Sequence, residues 1–141
     1  MPINRRHITL LESTGTAMNT YSTEVKADSY YGYTDGLHTL QVTYADYVGK
    51  VRIQGTLSLT PTSTDWFDIL PISVSGTAFT SDSTGIYVEF GADPNWANGS
   101  EAYTVQGNFA WLRVYMDRET VGDGSTYLGT YGQVTRVILS T

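Results

Sequence analysis

The chain has 141 residues, a length that argues for one domain with a single core. It contains no cysteine, which excludes disulfides, thiolate metal sites and thiol catalysis. Its formal charge of −6, from 14 acidic and 8 basic residues, works against binding a phosphate backbone, and the basic doublet Arg5-Arg6 is too short for a nucleic-acid patch.

Ile3 to Glu12 reads as a first strand, with Ile8, Leu10 and Leu11 as its apolar positions. The segment 1–12 is also the expected arm toward a neighbour. Ser13-Thr14-Gly15-Thr16 ends it, and a short strand is expected over Thr23 to Ala27. A tyrosine cluster, Tyr30, Tyr31 and Tyr33, leads into the turn Thr34-Asp35-Gly36. Leu37 to Tyr44 alternates strictly, with Leu40, Val42 and Tyr44 on one face together with His38. Asp46 to Gly49 has the length of a hairpin connection. Lys50 to Leu59 alternates again: Val51, Ile53, Gly55, Leu57 and Leu59 against Lys50, Arg52, Gln54 and Thr56.

After a polar break at Pro61 to Thr64, Asp65 to Ser73 reads as a strand bent near Pro71, which places it at an edge or a crossover. Ser75 to Thr84 reads as a loop and Ile86 to Phe90 as a strand. Gly91 to Gly99 is the most irregular stretch. Glu101 to Gln106 predicts a short strand and Asn108 to Arg118 a long one. The latter carries bulk on both faces, which predicts a central strand covered on both sides. Glu119 to Tyr131 is a Gly-rich connection, and Gln133 to Leu139 closes the fold. Strands at this spacing, without a helical period, predict an all-β chain: a single-domain antiparallel β-sandwich over 1–141, of jelly-roll type.

The sequence lacks the signature of an enzyme. Its two histidines, His7 and His38, stand near no nucleophile motif, and GxSxG is absent. Asp65 and Asp68 flank Trp66-Phe67, but residues three apart on a strand face opposite ways, so both carboxylates are expected in solvent with an aromatic packed inward. Two oxygen-rich loops, Asp93/Asn95/Asn98 and Asp117/Glu119/Asp123, offer some ligands of a calcium site, yet neither has EF-hand spacing. Turn residues bonding their own backbone are the simpler reading, so no metal or cofactor is expected. The opening MPINRRHITLLE lacks the apolar run of a signal peptide, and no stretch approaches the roughly 18 apolar residues of a membrane span. A soluble protein made in a cytoplasm, touching neither membrane nor nucleic acid, is expected.

Five blocks in order, YYGYTDGLHTLQVTY, VGKVRIQGTL, DWFDI, QGNFAWLRVYMDR and GQVTRVIL, resemble the landmarks of small virion structural proteins of tailed bacteriophages, especially marine and cyanobacterial ones. They span Val25 to Leu139. The resemblance implies a non-enzymatic particle component made in the host cytoplasm: a capsid decoration or cement protein, or a neck, tail or baseplate part. Its partners would be other virion proteins, in a symmetric homo-oligomer or lattice. Tyr, Trp and Arg dominate the energetic centres of such contacts, so Tyr30, Tyr31, Tyr33, Arg52 and Trp96 are the expected contact residues. The alternative is a carbohydrate-binding module or receptor-binding head, with the same aromatics stacking on a host-surface glycan.

Overall fold

The computed structural model describes residues 7–32, 36–75, 78–91, 98–128 and 131–140. Its strands are β1 (His7–Glu12), β2 (Thr20–Tyr21), β3 (Val25–Lys26), β4 (Leu37–Ala45), β5 (Gly49–Thr56), β6 (Phe67–Asp68), β7 (Ser73–Ser75), β8 (Thr80–Asp82), β9 (Gly85–Phe90), β10 (Asn98–Gln106), β11 (Trp111–Asp117) and β12 (Gln133–Ser140). The helical content of the described residues is one 3-10 turn, Asp28–Tyr31. No described helix is long and apolar enough to cross a membrane.

Alternation decides which side chains meet. On β4, His38, Leu40, Val42 and Tyr44 are buried, while Leu37, Thr39 and Gln41 are exposed. β4 pairs with β12 on one side and β10 on the other. The first sheet therefore runs β1-β12-β4-β10-β7. In the second, β11 and β5 lie side by side, giving β2-β11-β5-β9-β8 with β3 also on β11 and β6 on β5. The two antiparallel sheets pack face to face as a β-sandwich. Leu40, Val42, Tyr103, Val137 and Leu139 of the first sheet meet Val51, Ile53, Leu112, Val114 and Met116 of the second in one core. The expected sandwich is thus the observed one.

Several local expectations change. Asp46 to Gly49 is not a hairpin: β4 and β5 belong to different sheets, so this corner carries the chain across the sandwich. Asp46 takes a left-handed φ of 52° and Gly49 a φ of 142°, and the corner is pinned by Tyr47, whose hydroxyl donates to the Lys50 carbonyl at 2.9 Å. β5 stops at Thr56 rather than Leu59. Thr56 Oγ1 accepts from the Ser58 amide at 3.1 Å, and Ser58 Oγ from the Thr60 amide at 3.3 Å. These local bonds replace the ladder, and Leu57 turns out to solvent, 68 % exposed.

The stretch from Asp65 divides into β6 in the second sheet and β7 in the first, so Pro71 lies on a crossover between sheets. The side chain that enters the core there is Ile69; Trp66 is half-buried and Phe67 exposed. The loop expected over Ser75 to Thr84 contains β8. The long strand starts at Trp111 and not at Asn108. Residues 1–6, 34, 35 and 92–97, which carry the arm, much of the first turn and most of the irregular loop, lie outside the described residues.

Gly49 is where backbone conformation and packing both require glycine. A Cβ there would meet Arg118 Cγ at 2.8 Å and the Tyr47 hydroxyl at 2.9 Å. Gly15 is left-handed as well, φ 54°, but has open space around it. Gly49→Ala is expected to lose about 3 kcal/mol of stability and Gly15→Ala about 1 kcal/mol. Urea unfolding of both variants measures the difference, and equal losses would show that the corner is not strained.

Candidate contact surface

Arg52 was expected at a surface contact, but it is 7 % exposed, and its guanidinium is bound within the chain. Nε donates to Asp117 at 3.0 Å and Nη1 to Asp68 at 2.9 Å. Asp68 in turn accepts from Gln54 Nε2 at 3.0 Å and from the Ile86 amide at 3.1 Å. Asp68 is thus not solvated, contrary to expectation: the short pairing of β6 with β5 lays it over Arg52. Asp65 closes its own turn by accepting from the Thr62 amide at 2.6 Å.

This network belongs to a polar layer on the outer face of the second sheet. Arg113 lies 4.1 Å over the Tyr21 ring and 4.2 Å over the Trp66 ring, and Tyr21 stacks on Tyr115 at 4.2 Å. Lys50 sits 4.2 Å over the Tyr87 ring. Cations held on ring faces in a partly desolvated layer are each stabilising by about 1 kcal/mol. The layer explains how β5 is buried on both faces despite carrying Lys50, Arg52 and Gln54. Arg113 and Trp66 gave no signal in sequence, because their strands meet only through the fold.

The loop carboxylates considered for calcium have other partners. Asp117 binds Arg52 and accepts from the Glu119 amide at 2.9 Å. Asp123 accepts from the Ser125 and Thr126 amides at 2.9 and 2.7 Å. These two bonds, Ser125 first, hold its carboxyl at about 2. Among the described residues no cluster of three His, Asp or Glu side chains has the geometry of a metal site. Asp93, Asn95 and the Asn98 side chain lie outside the described residues. Of the tyrosines inside the fold, Tyr47 and Tyr103 have hydroxyls pushed well above the usual value, in both cases chiefly by burial. His38 is fully buried on the inner face of β4.

Tyr21 and Leu128 lie elsewhere, but most of the exposed large apolar side chains gather at one end. The 3-10 turn brings Tyr30 and Tyr31 to the surface there, with ring centroids 5.6 Å apart. Tyr30 meets the Trp111 ring edge-on at 5.5 Å, and Lys26 lies 4.4 Å over Tyr30. The Trp111 indole donates to the Leu59 carbonyl at 3.1 Å, which fixes the Leu57–Leu59 segment alongside. Phe67 joins on the other side through Phe109, 5.9 Å away. Leu70 and Ile72, on the adjoining crossover, are more than half exposed. Tyr33 and Trp96 lie outside the described residues. The alternation places Leu57 and Leu59 on the same face as Val51 and Ile53, but β5 ends before them and they lie at the surface.

Contiguous exposed apolar patches on a folded chain mark protein or membrane contacts, ligand grooves or aggregation-prone surface. Comparison of the chain with family models, with curated proteins and with solved structures finds no match.

Two measurements probe the polar layer. Arg52→Ala leaves two carboxylates beside one another without their cation, and a loss of about 3 kcal/mol in urea unfolding is expected. A loss near that of an exposed pair, below about 1 kcal/mol, would mean that the network is solvent-screened. Asp82, exposed, has its carboxyl lowered from 3.8 to about 2, first by the Thr84 hydroxyl and then by the Tyr87 hydroxyl, each donating at 2.6 Å. A depressed folded value means stability that is present above pH 4 and lost as pH falls toward 2. Asp82→Asn is expected to flatten that acid limb in part, Asp123 retaining the rest; an unchanged limb would reject the assignment.

Proposed function

We propose that this protein is a non-enzymatic structural component of a tailed phage particle, an external accessory protein acting through protein–protein contacts. The observation that carries the reading is the apolar end, where Tyr30, Tyr31, Leu57, Leu59 and Phe67 are exposed together. Arg52, Asp68, Asp117 and Asp82 are engaged in internal bonds. The ordered sequence blocks that resemble phage virion proteins supply the setting.

The sheet orders support a jelly roll as the finer description of the sandwich. With β6, β7 and β8 set aside and β2 and β3 counted together, eight strands remain. They fall first-eighth-third-sixth in one sheet and second-seventh-fourth-fifth in the other. Two nested Greek keys generate that interleaving, an architecture common in viral capsid and lectin domains. Fold alone does not assign function, so the reading rests on the surface.

Mass spectrometry of purified virions, referenced to the major capsid protein, tests it. Near-stoichiometric copy number is the result expected for a decoration or cement protein. A few copies per particle would direct it to the neck, tail or baseplate and favour the glycan-binding alternative for the exposed tyrosines. Absence from the particle would overturn the proposal.

A further inference from the structure

The two ends of the sandwich differ in chemistry, although Leu128, exposed in the connection after β11, and Lys50, across from Glu89, lie with the acidic one. The apolar end lies where β5 finishes and β11 begins, and its cation is Lys26, paired across the sheet with Trp111. No described carboxylate lies within ion-pair distance of Lys26. At the other end the β4–β5 corner, the close of β9 and the connection after β11 come together, and Asp46, Glu89, Glu119 and Asp123 are all exposed. Arg118 lies at that end too, but it is 0 % exposed and points its guanidinium at the Ala17, Tyr131 and Gly132 carbonyls, so it presents no outward charge. Among these loops is an open cleft of about 330 Å³. Val48, Phe90 and Val121 supply apolar lining, and Glu89 stands at its rim.

We propose that the apolar end of one copy docks on the acidic end of the next, so that the chain associates head to tail. This deepens the reading of the protein as an assembly component and rests on it. The protruding Leu57–Leu59 segment is matched by the apolar lining of the cleft. Lys26 is matched by the carboxylates around it. A twofold contact of the apolar end with itself would instead bring Lys26 toward Lys26 and leave the acidic end unpartnered. Because the two surfaces differ, each copy retains one free surface of each kind after pairing. The contact is heterologous, and it closes into a ring or continues as a filament according to its rotation. The chain's net charge of −6 adds general repulsion between copies, which the Lys26 contact offsets locally and which salt screens.

The test uses the full chain in analytical ultracentrifugation over a wide concentration range. Wild type is expected to form species larger than a dimer. Leu57→Asp with Leu59→Asp spoils only the apolar end, and Glu89→Lys with Glu119→Lys only the acidic end. All four side chains are exposed, and circular dichroism checks that both variants fold. Each variant alone is expected to be monomeric. Mixed in equal amounts they are expected to give a 1:1 dimer that grows no further, since each retains the surface the other lacks. Wild type that remains monomeric at every concentration would overturn the proposal. So would a dimer lost in the apolar variant, kept in the acidic variant and not restored by mixing, which is the pattern of a twofold contact. Copy number in the virion is an independent readout, so a virion protein that is monomeric in solution would refute this contact and leave the structural role intact.

Discussion

The arrangement of this sandwich depends on one buried cation. Arg118 follows the last residue of β11, and its guanidinium is inaccessible to water. Nη2 donates to the Gly132 carbonyl at 2.6 Å and to the Tyr131 carbonyl at 3.2 Å, while Nη1 donates to the Ala17 carbonyl at 3.3 Å. The Tyr47 ring lies 4.6 Å from it and the Tyr127 ring 5.5 Å. A buried guanidinium is tolerated only where oxygens and ring faces replace its hydration. Meeting that demand draws in the loop before β2, the corner between β4 and β5, and the connection into β12. The corner is what lets a three-residue link pass from one sheet to the other, and the cleft beside it takes its shape from the same packing.

A second constraint acts on the outer face of the second sheet. β5 and β11 are central strands whose inward residues fill the core, and their outward residues are covered as well, as the bulk on both faces of β11 predicts. They meet the side chains of short flanking pieces: Tyr21 from β2, Lys26 from β3, Asp68 from β6 and Tyr87 from β9. Charged groups enter this layer in pairs or on aromatic faces, as a partly desolvated environment demands. Among the described residues the first sheet has no such cover. Its outer face shows hydroxyls and amides, with Thr39 bonded to Thr104 at 3.0 Å and Thr43 to Ser100 at 2.8 Å. The two faces and the two ends are therefore four different surfaces.

The sequence was most legible where alternation and burial agree. On β4 the inward set was read correctly, because a period of two leaves no other way to bury Leu40 and Val42. It misled where pattern outlasts the ladder. Leu57 and Leu59 continue the alternation of Val51 and Ile53, but hydroxyls at Thr56 and Ser58 take over the backbone amides and the strand ends. Arg52 looked like a contact residue because residue type alone does not reveal that Asp68 and Asp117, 16 and 65 positions away, converge on it. Tyr30 and Tyr31 are exposed; of their companions, Lys26 is a near neighbour in sequence, while Trp111 and Phe67 come from distant strands.

The sequence by itself determined the all-β class and the two-faced character of its central strands, because these follow from local periodicity and composition. Only the tertiary structure decided which strands are neighbours, that a short link crosses between sheets, and that apolar side chains collect at one end and carboxylates at the other. Such properties depend on contacts between residues far apart in the chain, and a one-dimensional pattern holds no information about which distant partner satisfies a buried charge.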